Sequence, residues 1–371
     1  MTPRSPQSSA VSCRPEVRTL VEYIAGKTVE EVQRELGLRD IVKLSSNENP
    51  LGPSPRVRDA ILDCLPRIAT YPERSFLALK TSLADANNVS VDNICVGHGS
   101  ETIIQIIPQM CVTPGDEVVV AAATYGRYEE ASKLMGGRPI RVPLRALRHD
   151  LEAMAASVTE RTRIVWICNP NNPTGTHLRA DEVGRFLESI PCNVLVVFDQ
   201  AYVEYADDPA FADAVAFLKA GYENVVVLRT FSKVHGLAGL RLGYGIAAAP
   251  IRKLLDTIKE PFNLNRFSIA AGPAALADTA WTARCIEQNR QGRGFLATEL
   301  KGMGFDPAES QANFVLVDVK QDADELFERL LRRGVIVRSA APWGLTNYIR
   351  VTVGTAVQNE RFLATLAEVA S

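Results

Sequence analysis

An α/β fold with a mostly parallel sheet, followed by a smaller α+β domain, is predicted by two textures along the chain and by its length. Apolar runs near 94–97, 117–122, 164–168, 194–198, 225–229 and 243–248 alternate with helical patterns such as 181–189. Beyond about residue 270 the texture changes to a helix at 295–300, a strand at 313–319, a helix at 322–333, strands at 335–338 and 348–353, and a final helix at 359–369. With 371 residues, 46% of them hydrophobic, the chain can bury two cores. We divide it into an N-terminal arm over 1–42, a large domain over 43–270 and a small domain over 271–371. The connection through Glu260-Pro261-Phe262 is short, so the two domains are expected to share a large interface, with the arm lying across both.

The first-half strands are apolar throughout, as strands covered on both faces are, and each runs into residues suited to chemistry at the sheet edge where open α/β sheets bind ligands. Val225-Val226-Val227-Leu228 leads into Arg229-Thr230-Phe231-Ser232-Lys233, with Gly239-Leu240-Arg241-Leu242-Gly243 close behind. A lysine amine attacks a carbonyl only when neutral, and burial or a nearby cation lowers its pKa to that end. Lys233 among hydroxyl residues, followed by Arg241, suggests a Schiff-base lysine beside a phosphate site. Taken alone, a Ser-Lys pair reads as surface.

Four other segments supply context. Val194-Leu195-Val196-Val197-Phe198 ends in Asp199-Gln200-Ala201-Tyr202. A buried acid at a strand tip needs a cation or a hydrogen-bond donor, and a protonated pyridine nitrogen is such a partner. The alternative is a helix N-cap aspartate with a packing tyrosine. Ile164-Val165-Trp166-Ile167-Cys168 enters the turn-rich Asn169-Pro170-Asn171-Asn172-Pro173-Thr174-Gly175, where Asn172 offers an amide in a fixed direction or serves turn chemistry alone. Asn93-Ile94-Cys95-Val96 enters Gly97-His98-Gly99-Ser100-Glu101-Thr102 and then an isoleucine-rich helical pattern, so free N–H groups at the helix start would cradle a phosphate. Ala123-Thr124-Tyr125-Gly126 follows a strand and offers Tyr125 either for stacking or as a half-buried packing residue.

Composition narrows the classes. A formal net charge of -2 gives no polyanion footprint, so nucleic acid is not an expected partner. Seven scattered cysteines and four dispersed histidines form no ligand spacing, and no metal site is expected. Residues 1–10 contain no apolar signal core and no window approaches ~18 apolar residues, so a cytoplasmic protein without membrane association is expected. A winged-helix regulator would need a basic DNA-binding module for which the residues before the first motif leave no room.

The five segments, in one order and each after a strand, make the chain resemble fold-type I pyridoxal-phosphate enzymes, in the histidinol-phosphate aminotransferase branch of the class I and II aminotransferases. The resemblance runs from about Tyr23 to Thr355. Its motifs are Lys43-Leu44-Ser45-Ser46-Asn47-Glu48-Asn49-Pro50-Leu51-Gly52-Pro53-Ser54-Pro55, Tyr71-Pro72, Asn172-Pro173-Thr174-Gly175, Thr230-Phe231-Ser232-Lys233, Ala238-Gly239-Leu240-Arg241 and Ile349-Arg350-Val351-Thr352-Val353-Gly354-Thr355. It implies a three-layer large domain, a pyridoxal 5'-phosphate cofactor, a small-molecule amino donor and a 2-oxo acid acceptor.

Residue by residue, the resemblance implies that Lys233 bonds the cofactor and moves the proton between substrate Cα and cofactor C4′. Asp199 would pair with the pyridine nitrogen, Asn172 and Tyr202 with the ring oxygen, and Tyr125 with the ring face. Gly99, Ser100, Ser232 and Arg241 would grip the phosphate together with Tyr71 from the neighbouring subunit, which makes a homodimer with shared sites the active unit. Arg350 and Arg338 would receive substrate anions, and Tyr23 would close over the substrate. Histidinol phosphate is the implied amino donor, with an aromatic amino acid or a threonine-phosphate decarboxylation as alternatives. Gln200, His98 and His235 depart from the pattern without removing a cofactor contact. Arg266 is expected either to bias substrate choice or to form a surface or interface salt bridge, and Trp343 either to narrow the pocket or to pack the small domain.

Overall fold

The computed structural model describes residues 13–20 and 26–370. Seven strands form the central sheet: β1 (Ile94–His98), β2 (Glu117–Ala121), β3 (Arg138–Val142), β4 (Thr162–Cys168), β5 (Leu195–Asp199), β6 (Val225–Thr230) and β7 (Leu242–Ala247). Their order is β1-β7-β6-β5-β4-β2-β3. The pairs β3–β2, β2–β4, β4–β5 and β5–β6 are parallel, while β7 runs antiparallel to β6 and β1. Alternate residues of each strand feed two separate apolar clusters. Val119, Val165, Ile167, Val196 and Phe198 enter one, and Val118, Val120, Trp166, Val197 and Val226 the other. Helices must therefore cover both faces, which gives the three layers expected.

Strand β3 is absent from the sequence reading. Its sequence, Arg-Pro-Ile-Arg-Val, exposes both arginines and carries no apolar run. It lies at the sheet edge, where proline and charged residues are tolerated because one side needs no partner.

The parallel strands and β1 all end at one edge. There β1 passes directly into helix α1 (Gly99–Cys111), and β7, running the other way, begins just after Arg241 at that same edge. The chain reverses through Arg241, which adopts φ 56°, and the Gly99 N–H donates to the Arg241 carbonyl at 2.8 Å. Helix α2 (Arg266–Ala277) packs on the helices Pro55–Cys64 and Leu77–Asn87, so a division at residue 270 cuts through a helix.

In the second half, helix α3 (Thr279–Gly302) is far longer than the 295–300 expected. Asp278 caps its start by accepting from the Trp281 N–H at 3.2 Å. Buried Asn289 and Arg293 interrupt the apolar stripe that would have marked the helix in sequence. Strands β8 (Asp306–Pro307), β9 (Phe314–Asp318), β10 (Arg338–Ser339) and β11 (Tyr348–Thr352) form an antiparallel sheet ordered β10-β11-β9-β8. The strand expected over 335–338 divides: Val335–Ile336 pairs in parallel with Val42–Lys43 of the arm, and only Arg338–Ser339 joins the sheet.

Close packing behind α1 is tight enough to test. A Cβ on Gly243 would lie 2.2 Å from the Ser100 nitrogen and 2.5 Å from the Gly99 carbonyl carbon, both backbone atoms. Gly243→Ala is expected to lower stability by about 2 kcal/mol or more, read as a fall in thermal midpoint. Gly239→Ala, with nothing within 4 Å of its added methyl, should stay near wild type in the same measurement.

Candidate active site

The edge where β1, β4, β5 and β6 end gathers the residues singled out in sequence. Asp199, last residue of β5, is buried, and its carboxylate accepts from the Tyr128 hydroxyl at 2.7 Å and from the Ala201 N–H at 3.1 Å. Burial nevertheless raises its pKa to about 6, outweighing both donors. Tyr128 is itself fully buried and stacks on Trp166 of β4, with ring centroids 4.8 Å apart and planes 6° from parallel. Sequence reasoning missed Tyr128. A tyrosine early in the helix Arg127–Leu134 reads as packing, and only the sheet order brings it to β5. The demand that a buried acid find a donor was the one available signal.

Lys233 lies beyond β6 in a turn, partly buried, and its amine donates to the Ser46 carbonyl at 3.4 Å. Its pKa falls to about 8, first because burial disfavours the ammonium and then because Arg350 is near; Glu48 opposes and Arg241 adds to the fall. The amine lies 5.5 Å from the centre of the Tyr202 ring. The Tyr202 hydroxyl accepts from Asn47 Nδ2 at 3.1 Å, and Asn47 also receives support from Asn313 and Thr352. Asn47 stands within a quoted motif but had no role assigned to it.

At the start of α1, Gly99 has φ +72°, and a Cβ there would lie 2.9 Å from Arg241 Nη2. The Arg241 guanidinium thus hangs over the glycine at a helix N-terminus with Ser100 beside it. Ser232 is buried, and its hydroxyl and N–H both bond Thr230 Oγ1. A guanidinium, hydroxyls and helix N–H groups together make a cradle suited to a phosphate. Tyr125 donates to Glu101 Oε2 at 3.1 Å and meets Tyr128 edge-on at 5.5 Å.

The opposite wall comes from the small domain. Arg350 of β11 is buried, donating to Asn172 Oδ1 at 2.5 Å and to the Ser45 carbonyl at 2.6 Å. Arg338 of β10 is its register partner, so both side chains leave the sheet on one face. Trp343 lies between them, its ring 5.9 Å from the Arg338 guanidinium and 5.6 Å from that of Arg350. Trp343 therefore packs against the anion-binding candidates themselves.

Gln200, Arg266 and Tyr71 have other surroundings within their own chain. Gln200 faces away from the site, with its Nε2 donating to the Ala212 carbonyl at 2.8 Å. Arg266 makes neither an ion pair nor a site contact among the described residues. Its guanidinium donates to the Thr70 carbonyl, the Thr70 hydroxyl and the Tyr71 carbonyl at 2.7, 2.6 and 2.5 Å. Tyr71 is 79% exposed on its own chain. Tyr23 lies outside the described residues.

The chain is similar to known proteins over nearly its whole length. The chain is 44% identical to the histidinol-phosphate aminotransferase of Moorella thermoacetica, over 98% of this chain and 94% of the relative. It is also 44% identical to the enzyme of that name from Caldicellulosiruptor saccharolyticus, over 95% and 98%. Among solved structures, histidinol-phosphate aminotransferase from Sinorhizobium meliloti in complex with pyridoxal-5'-phosphate superposes with a TM-score of 0.90 at 29% identity, covering 98% of both chains. The family described as aminotransferase class I and II matches residues 39–366, and the chain belongs to it.

Proposed function

We propose that this chain is a pyridoxal 5'-phosphate-dependent histidinol-phosphate aminotransferase of histidine biosynthesis. It would exchange an amino group between histidinol phosphate with 2-oxoglutarate and imidazole-acetol phosphate with glutamate, reversibly. The observation that carries the reading is the convergence of a lysine of lowered pKa, a buried carboxylate and paired arginines at one sheet edge, in a chain 44% identical to enzymes of that name.

The residues present fit the cofactor. The cradle at Gly99, Ser100, Ser232 and Arg241 suits its phosphate, and Asp199 at the far side suits a ring nitrogen. When bound, the cofactor supplies a carbonyl that joins amines and a ring that draws electrons from the substrate Cα. The chain supplies the rest. Lys233, whose pKa lowered to about 8 raises the fraction of neutral amine at physiological pH, would serve as nucleophile and then carry the proton at Cα. Asp199, held by Tyr128, would keep the ring nitrogen protonated. Asn172 and Tyr202 would hold the ring oxygen, Tyr125 would stack on the ring, and Arg350 with Arg338 would hold the substrate anion. Tyr71 serves the neighbouring subunit's phosphate site in a homodimer, a reading supported by its exposure on its own chain. No helix among the described residues is long and apolar enough to cross a membrane, and the cytoplasm is the compartment we propose.

The site makes Lys233 reactivity depend on pH in a defined direction. In cofactor-free protein, the rate of cofactor attachment should rise about tenfold per pH unit below ~8 and level off above it, because only the neutral amine attacks. Arg350 disfavours the ammonium, so Arg350→Gln should move the midpoint upward. A midpoint unchanged in stopped-flow absorbance would remove Arg350 as a cause and leave the lowered pKa to burial and Arg241.

Asp199→Asn should lower kcat on the order of 10²–10³-fold while cofactor affinity falls far less. Tyr128→Phe removes one charge-assisted hydrogen bond and should lower kcat by about tenfold. Steady-state kinetics with parallel cofactor titration separates the two effects, and near-normal turnover of Asp199→Asn would reduce Asp199 to a structural acceptor.

Substrate choice tests the function itself. The enzyme should prefer histidinol phosphate to phenylalanine and tyrosine by about tenfold or more in kcat/KM, and unphosphorylated histidinol should be poor, because an arginine–phosphate contact is worth at least that factor. A preference for phenylalanine or tyrosine indifferent to phosphate would instead assign an aromatic aminotransferase.

A further inference from the structure

Tyr71 stands on an exposed loop, where a side chain that must reach into another subunit would ordinarily sample many positions. Here its position is fixed twice. Its ring stacks on Phe262, with centroids 4.8 Å apart and planes 23° from parallel. Its backbone is gripped by Arg266, the first residue of α2, through the three hydrogen bonds to Thr70 and Tyr71. Helix α2 is a rigid root for that grip, because Asn265 caps it by accepting from the Ser268 N–H at 2.8 Å and its body packs on two other helices. Every hydrogen bond of the Arg266 guanidinium among the described residues goes to the Tyr71 loop, and none goes to a carboxylate.

We infer that Arg266 is a positioning residue for the neighbouring subunit's cofactor site, acting by holding the Tyr71 loop in the reaching conformation before the cofactor arrives. The inference rests on the reading that Tyr71 serves that site. Preordering removes the entropic penalty of fixing the loop on binding, so its loss should appear in cofactor affinity. A lysine cannot replace it, since one ammonium does not span two carbonyls and a hydroxyl with the planar fork that arginine presents.

The test is the dissociation constant for pyridoxal 5'-phosphate of the full-length dimer, titrated by absorbance. Arg266→Ala should raise it about tenfold, and Arg266→Lys should not restore it. The defect should also fall on the other subunit. In a heterodimer of Arg266→Ala with Lys233→Ala chains, the site that keeps Lys233 receives Tyr71 from a chain with Arg266 and should bind normally. In a heterodimer of wild type with a chain carrying both substitutions, the wild-type Lys233 site should be weakened. Unchanged affinity in Arg266→Ala, or a defect that stays in the subunit carrying it, overturns the inference. Tyr71→Phe separates the two levels: weakened binding there with normal binding in Arg266→Ala rejects the role of Arg266 alone, whereas normal binding in Tyr71→Phe rejects the shared-site reading and the inference with it.

Discussion

Arg350 holds the site together. A guanidinium inside a protein is tolerated only where its hydrogen bonds are met, and here they come from two other parts of the chain: Asn172 after β4 and the Ser45 carbonyl of the segment leaving the arm. One side chain of the small domain thereby fixes the large domain and the 45–49 segment relative to the sheet edge. The same charge lowers the pKa of Lys233. Asn47, anchored by Thr352 of the same strand, carries the link on to Tyr202. One residue thus contributes both to domain packing and to amine reactivity.

Around that residue the site shifts the pKa of two groups from their ordinary values by burial. Burial pushes the Asp199 carboxyl up to about 6 and the Lys233 amine down to about 8. In each case removal from water is the largest influence and neighbours adjust it: Tyr128 draws Asp199 back toward ionisation, while Arg350 moves Lys233 further toward neutrality. Groups perturbed in opposite senses at one cleft are candidates for a functional site.

Among the departures from the family's residue pattern, Gln200 and His235 are taken up by packing and backbone hydrogen bonds. Gln200 turns behind β5 to serve the backbone at Ala212 and Ala214. His235 is buried against Phe231, 4.8 Å between rings, and burial lowers its pKa to about 4, so it packs as a neutral aromatic. Trp343 is different, since its ring touches both Arg338 and Arg350 and so shapes the part of the site that meets substrate.

The sequence by itself determined the parallel core and pointed to most residues of the candidate site, because apolar runs that end in Gly, Asn, Asp and Lys are local signals and the sheet brings such ends to one edge. It did not reveal β3, whose edge position lets it dispense with apolar residues, nor the first half of α3, whose buried polar residues mask its period. Only the tertiary structure decided the partners. Tyr128 reaches Asp199, Arg266 reaches Tyr71, and Arg350 reaches Asn172 across separations of 71, 195 and 178 residues. No spacing rule encodes contacts at that range. They exist because strand order and domain packing bring distant donors to acceptors that burial leaves in need of them.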